Sequence, residues 1–251
     1  MKYSLAVFDM DGTILDTLDD LTNTLNMSLE RVGMPVRTKD EVRSFVGNGV
    51  GKLLERAVPV GTTAEEMDAL AAVFRENYAA HCADMTRPYD GIPEAIAELR
   101  RAGMKTAVVS NKVDFAVQAL AEGYFPHLFD MAVGEREGVR RKPAPDPVFA
   151  VADALGVPLA ETVYIGDSDV DADTAANAGV DFVGVEWGFR PRDLLIAHGA
   201  TVTVSHPRNL VPVIFGRGRK ERVTLPALKH VSCPVSPHAG SGQNPGSGQN
   251  A

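Results

Sequence analysis

Residues 5–17, LAVFDMDGTILDT, constrain this chain more than any other stretch. An apolar run from Leu5 to Phe8 stops at Asp9, and Asp11, Gly12 and Thr13 follow. A short run of this composition reads as a strand buried on both faces, which belongs to a parallel sheet. In open α/β sheets the ligand crevice lies beyond the carboxyl ends of such strands. Two carboxylates there repel one another unless a cation offsets them. A hard divalent ion such as Mg2+, which prefers oxygen ligands, meets that need. Gly12 permits a sharp turn, and Thr13 offers a hydroxyl and a backbone N–H. Asp and Gly are also ordinary turn residues, so this stretch alone leaves a plain strand-to-turn reading open.

The pattern changes after Asp16. Residues 19–32 place Leu21, Leu25, Leu29 and Val32 at helical spacing, and Gly33 and Pro35 stop the helix. Residues 39–46 and 50–58 read as shorter helices hinged at Gly47-Asn48-Gly49, and 64–82 as a longer one. No strand is predicted from 17 to 87. From 88 on, strands at 105–110, 129–134, 162–166, 181–185 and 201–204 alternate with helices at 92–102, 113–122, 146–155 and 171–178. That alternation predicts an α/β protein with a doubly wound, Rossmann-like parallel sheet. The expected organisation is a core of residues 1–16 and 88–216 with an inserted all-helical segment at 17–87.

From about residue 217 the chain turns Gly-, Ser-, Pro-, Gln- and Asn-rich, and GSGQN occurs at 240–244 and again at 246–250. Such composition lacks the apolar content for a core and is expected to be a disordered tail. Its basic cluster, Arg217, Arg219, Lys220 and Arg222, reads as solvated charge. The formal net charge of −8 gives no general attraction to nucleic acid or anionic membrane, so neither is expected as a partner. The N-terminal apolar run is too short for a signal peptide, and nothing reaches membrane-spanning length. Cys82 and Cys233 have no metal-type spacing. A cytoplasmic protein is the expectation.

Polar groups recur where the apolar strands stop: Asp9 and Asp11, then Ser110 and Asn111, then Lys142 after a charged turn, then Asp167, Ser168, Asp169 and Asp171. Singly, each has a structural reading. Ser110 and Asn111 would serve as N-caps for a helix near 113, and Asp169 or Asp171 would favour the next helix's N-terminus. Together they suit phosphoryl transfer, in which a carboxylate nucleophile, metal charge, a cation and oriented donors surround phosphorus. Asp9 is the expected nucleophile. Asp11 is expected to protonate the leaving alcohol and later take a proton from water; a neighbouring carboxylate and a phosphate favour its protonated form. Asp9, Asp167 and a backbone carbonyl near Asp11 are the expected Mg2+ ligands. Ser110 and the N–H groups after it would grip phosphate, and Lys142 would neutralise Asp9 and the phosphate.

DMDGTILDT (9–17), SN (110–111), KP (142–143) and GDSDVD (166–171) resemble the four motifs of the haloacid dehalogenase superfamily, in the same order. The resemblance spans roughly residues 3–215. It implies a Rossmann-like core with a cap inserted after the first motif, which 17–87 would supply. It implies Asp9 as nucleophile, Asp11 as acid/base, Ser110 as the phosphate-binding hydroxyl, Lys142 as the positioning lysine and Asp167 as the metal-binding acid. Asp171 matches the second acid of the fourth motif, which supports the site. Gly12, Thr13 and Asn111 fall inside the matched motifs and are expected to contact substrate. Within the superfamily, SFVGNGVGKLLERA (44–57), WGFR (187–190) and HGA (198–200) are similar to segments of the phosphoglycolate phosphatases. Gly47-Asn48-Gly49 then reads either as a helix–helix turn or as a substrate-facing loop with Asn48 as the contact. Thr17 departs from the Ser common in relatives.

The function expected is Mg2+-dependent hydrolysis of a small phosphomonoester through an aspartyl-phosphate, with 2-phosphoglycolate as first substrate. The alternatives are a phosphatase for pyrophosphate or a sugar phosphate, a phosphosugar mutase, and a non-catalytic binding module on the same fold. The intact Asp9, Asp11 and Lys142 set argues against the last.

Overall fold

The computed structural model describes residues 2–216; the low-complexity segment from 217 and its basic cluster lie outside them. In chain order the elements are β1 (Leu5–Phe8), β2 (Leu15–Asp16), α1 (Leu18–Arg31), α2 (Lys39–Phe45), α3 (Gly49–Ala57), α4 (Ala64–His81) and β3 (Arg87–Pro88). There follow α5 (Ile92–Arg101), β4 (Lys105–Val113), α6 (Asp114–Tyr124), β5 (Met131–Glu135), α7 (Asp146–Ala154) and β6 (Thr162–Gly166). The described chain ends with α8 (Asp169–Ala178), β7 (Asp181–Val185), α9 (Arg192–Ala197), β8 (Thr203–Val204) and α10 (Leu210–Ile214).

Six strands form one sheet in the order β5-β4-β1-β6-β7-β8, every neighbouring pair parallel. The chain winds outward from β1 through β4 to β5, then returns to β6 on the other side of β1 and winds outward again. The order therefore reverses at β1, and the crevice at a parallel sheet's carboxyl edge opens at such a reversal. β1 is apolar at every position because the pleat sends alternate residues to two cores. Ala6 and Phe8 join Ile96 and Leu99 of α5 and Val117 and Leu120 of α6. Leu5 and Val7 join Val148 and Val151 of α7 and Ala175 and Ala178 of α8.

Helices α1–α4 carry a third cluster, in which Leu21, Leu25 and Leu29 of α1 pack with Leu54 of α3 and Leu70 and Phe74 of α4. These residues lie at the three- and four-residue spacing that places them on one helical face. Thr38 with Glu41, and Thr63 with Glu66, form capping boxes that start α2 and α4. The helical segment leaves and rejoins the sheet through a short ribbon in which β2 pairs antiparallel with β3. This ribbon adds a two-residue strand at Arg87–Pro88, which corrects the expectation of no strand up to residue 87. Buried Asp20 of α1 ties the return segment down, accepting from Met85 N at 2.9 Å and Thr86 N at 2.8 Å.

One local expectation is corrected. β4 does not stop at Ser110 but continues to Val113, and α6 starts at Asp114 with Val113 as N-cap and no side-chain cap bond. Ser110 and Asn111 are therefore strand residues, not helix caps. The strand persists because Val113 still pairs with Glu135 of β5, after an irregularity that begins at Val109.

Candidate active site

The carboxyl ends of β1, β4 and β6, with the loop between β5 and α7 that carries Lys142, bring Asp9, Ser110, Asn111, Lys142 and Asp167 to one buried cluster. Lys142 sits at its centre. Its Nζ lies 2.8 Å from Asp9 Oδ1 and 2.7 Å from Asp171 Oδ1. Burial works against its charge, but Asp171 and Asp9 outweigh that and hold the ammonium well above its usual range. Asp171 is doubly used. As third residue of α8 it accepts from Ser168 N at 3.1 Å and Ser168 Oγ at 2.6 Å in a capping box, while it anchors Lys142. One carboxylate thus both caps α8 and anchors Lys142.

Asp167 follows β6 and is fully buried. It accepts from Thr13 Oγ1 at 3.0 Å and from Phe189 N at 2.7 Å. Two backbones close on it. A Cβ on Gly12 (φ +83°) would meet Asp167 Oδ2 at 2.4 Å, and one on Gly188 would meet Asp167 Cβ at 2.3 Å. Only glycine allows that approach, and at Gly12 the left-handed backbone adds a second reason. Asn111 Nδ2 donates to Gly47 O and Lys142 O at 3.0 Å each, and its Oδ1 accepts from Lys142 N at 2.9 Å. Its amide thus sets the backbone that carries Lys142 and ties it to the loop between α2 and α3.

Asp11 points to the other side of the cluster. Its Oδ1 accepts from Thr17 Oγ1 at 2.7 Å and from Lys112 Nζ at 2.7 Å. Lys112 does not stand out in the sequence, where it follows a motif that reads as complete at SN. The signal that points to it is the continuation of β4, which directs residue 112 inward together with 110. Its ammonium also lies 5.0 Å from the centroid of the Tyr78 ring of α4, within cation–π range.

A cavity of about 50 Å³ opens over this cluster. Asp9, Asp11, Ser110, Lys112, Lys142 and Asp167 form its polar floor, and Leu21, Val46, Val50, Leu53 and Phe189 its apolar walls. Gly47 and Gly49 line it, whereas Asn48 does not; Asn48 Oδ1 accepts from Arg56 Nη2 at 2.8 Å. Arg190, from the loop before α9, also lines the cavity and grips the end of α2, donating to Arg43 O and Val46 O at 2.6 Å each.

The donor set suits a hard cation. Oxygen atoms of Asp9, Asp167 and Asp171 lie within 4.8 Å of one another. Asp171 is taken by the Lys142 ammonium and by Ser168, whereas Asp9 Oδ1 has no donor and each Asp167 oxygen accepts a single neutral hydrogen bond, so Asp9 and Asp167 are the carboxylates with lone pairs left for an ion. Asp9 Oδ1 is buried and lies near Lys142 without the direction of a hydrogen bond, so it has no hydrogen-bond donor. Burial and then the Asp171 carboxylate push Asp9 up to about 7 against the pull of Lys142. Burial, Asp171 and Asp9 likewise hold Asp167 well above the carboxylate range. A divalent ion beside these two oxygens would offset the charge that Lys142 alone does not. Thr17 and Lys112 both donate to Asp11 Oδ1, which leaves Oδ2 as the oxygen open to proton transfer.

Residues 6–185 match the haloacid dehalogenase-like hydrolase family. A phosphoglycolate phosphatase of Caulobacter vibrioides is 37% identical over 72% of this chain and 78% of its own length. An N-acetylmuramic acid 6-phosphate phosphatase of Pseudomonas aeruginosa is 32% identical over 85% of this chain and 96% of its own. The crystal structure of a candidate phosphoglycolate phosphatase from Lactobacillus delbrueckii subsp. bulgaricus superposes with a TM-score of 0.81 at 42% identity, covering 85% of this chain and 99% of that one.

Proposed function

This chain belongs to the haloacid dehalogenase-like hydrolases and is a phosphatase; from that premise we propose that it hydrolyses a small phosphomonoester, with 2-phosphoglycolate as first substrate, using Mg2+ and Asp9 as nucleophile. The observation that carries the mechanism is the pairing of Asp9 with Lys142, beside Asp167 and beneath one small cavity. When bound between Asp9, Asp167 and the Asp11 carbonyl, Mg2+ would supply positive charge to the carboxylates and the phosphoryl oxygens.

The chain's own residues do the rest. Lys142 holds Asp9 in place and neutralises charge as phosphate enters. Ser110 Oγ, which accepts from Lys112 N at 3.3 Å, keeps its own proton to donate to a phosphoryl oxygen. An Asp9 carboxylate oxygen attacks phosphorus, the ester bond breaks, and Asp11 gives the leaving alcohol its proton. Asp11 then takes a proton from water, which attacks the aspartyl-phosphate and releases inorganic phosphate and free Asp9. Helices α1–α4 act as a cap that excludes bulk water and presents apolar walls to the non-phosphate end of the substrate.

The test is phosphate release with Mg2+ from 2-phosphoglycolate, N-acetylmuramic acid 6-phosphate, pyrophosphate, glucose 1-phosphate and a nucleoside monophosphate. Preference for 2-phosphoglycolate, lost in Asp9→Asn, is the expected result. Preference for the amino-sugar ester would overturn the substrate, and undiminished turnover by Asp9→Asn would overturn the mechanism.

A further inference from the structure

The polar floor divides into two sides. Asp9, Ser110 and Lys142 lie on the phosphoryl side, and the Lys142 charge is shared between Asp9 and Asp171. On the Asp11 side, where the leaving alcohol must sit, are Lys112 and Tyr78. Both are buried, and both line the cavity. Lys112 has three N–H donors and gives one to Asp11. The Tyr78 hydroxyl lies near that ammonium but makes no hydrogen bond among the described residues. Donors buried without acceptors are costly, and an acceptor supplied by a ligand removes the cost.

The other polar groups of the lining are engaged within the protein: Asn111 Nδ2 donates to Gly47 O and Lys142 O, and Ser168 Oγ donates to Asp171. Leu21, Val46, Val50, Leu53 and Phe189 are apolar, and the guanidinium of Arg190 is occupied by the carbonyls of α2 and by Asp169. An uncharged alcohol would leave the free donors of Lys112 and Tyr78 unpaired. A carboxylate a bond or two from the ester oxygen would satisfy both, because an ammonium and a phenol can each donate to one carboxylate.

We propose that Lys112 and Tyr78 form a carboxylate subsite that selects phosphomonoesters whose leaving alcohol carries an acid group near the ester oxygen. The proposal rests on the phosphatase reading of the same cavity, and it joins β4 of the sheet to α4 of the helical layer in one recognition element. Lys112 keeps its contact with Asp11 and turns its other donors to the substrate.

The experiment compares kcat/KM for two acids, 2-phosphoglycolate and phospholactate, with kcat/KM for their uncharged amides. The variants are wild type, Lys112→Met, Lys112→Arg and Tyr78→Phe, with thermal melting run on each to confirm folding. Wild type is expected to favour each acid over its amide by about a hundredfold, the size of a charge-assisted pair in a water-poor site. Lys112→Met should reduce that preference to about threefold or less, Tyr78→Phe should reduce it about fivefold, and Lys112→Arg should restore part of it. Lys112 also touches Asp11, so the ratio of acid to amide is decisive, not the rate on either. An equal fall on acid and amide in Lys112→Met would overturn the subsite and leave Lys112 as a positioning residue for Asp11. Equal wild-type turnover of acids and amides would overturn it outright while leaving the phosphatase reading in place. Preference for phospholactate over 2-phosphoglycolate with the acid preference intact would overturn the named substrate and support the subsite.

Discussion

Asp171 shows how much one side chain can carry. It caps α8 through Ser168 and holds Lys142 at 2.7 Å with no exposure to solvent. Removing one member of a buried ion pair leaves the other charge uncompensated and costs about 3–5 kcal/mol. Asp171→Ala should therefore lower the unfolding free energy in urea by about 3 kcal/mol and depress kcat by freeing Lys142; unchanged stability would show that the pair is not structural. A second residue-scale prediction concerns Asp130. Burial raises this carboxyl, but the Arg100 guanidinium at 2.6 Å and Thr106 N at 2.9 Å outweigh it and hold it below its ordinary value of 3.8. A depressed native value means stability that is present above the unfolded value and lost as pH falls through the folded one. Wild type should thus lose more stability than Asp130→Asn on acidification below pH 3.8, read from melting at several pH values; parallel profiles would refute the linkage. That Asp9, Ser110, Asp167 and Asp171 come together was legible in the sequence because each ends or follows an apolar strand, with Asp11 two residues beyond Asp9 and Lys142 marked by the charged turn before it. Lys112 was not, because its direction depends on β4 continuing three residues past the point where its apolar run ends.

At the scale of elements, the contact between sheet loops and helical layer rests on few groups. Arg190 binds the carbonyls that end α2, and Asn111 binds Gly47 O one loop away. Carbonyls at a helix end lack partners within the helix, and a guanidinium offers several donors at once. Arg190→Ala should raise KM severalfold and speed amide hydrogen exchange across residues 43–49, with little change in melting temperature. Exchange that does not change there would mean Arg190 does not hold α2. The long elements were readable, since α1 and α4 repeat apolar residues at helical spacing and β1, β4 and β6 are short apolar runs. The short ones were not. α9 and α10 have 6 and 5 residues, too few to show a period, and β3 exists only because β2 lies beside it. The N-cap reading of Ser110 and Asn111 failed for a related reason: local capping preference is outweighed when a neighbouring strand offers ladder bonds.

The molecule as a whole places a parallel sheet, which fixes the reactive groups, beneath a helical layer with its own apolar cluster. No helix among the described residues is long and apolar enough to cross a membrane. All the groups assigned to chemistry fall between residues 9 and 190, and the apolar clusters extend to Phe215. A chain ended after Gly216 should keep its kcat/KM and melting temperature; a marked loss of either would assign a role to the segment beyond. The proposed mechanism places the phosphoryl group on Asp9 during turnover. The most direct measurement is rapid acid quench of the Mg2+-loaded protein with 2-phosphoglycolate, followed by mass spectrometry of the peptide containing Asp9. A transient gain of one phosphoryl group on Asp9, absent in Asp9→Asn, is the expected result. Phosphate release without that adduct at any quench time, and with Asp9→Asn still active, would contradict it.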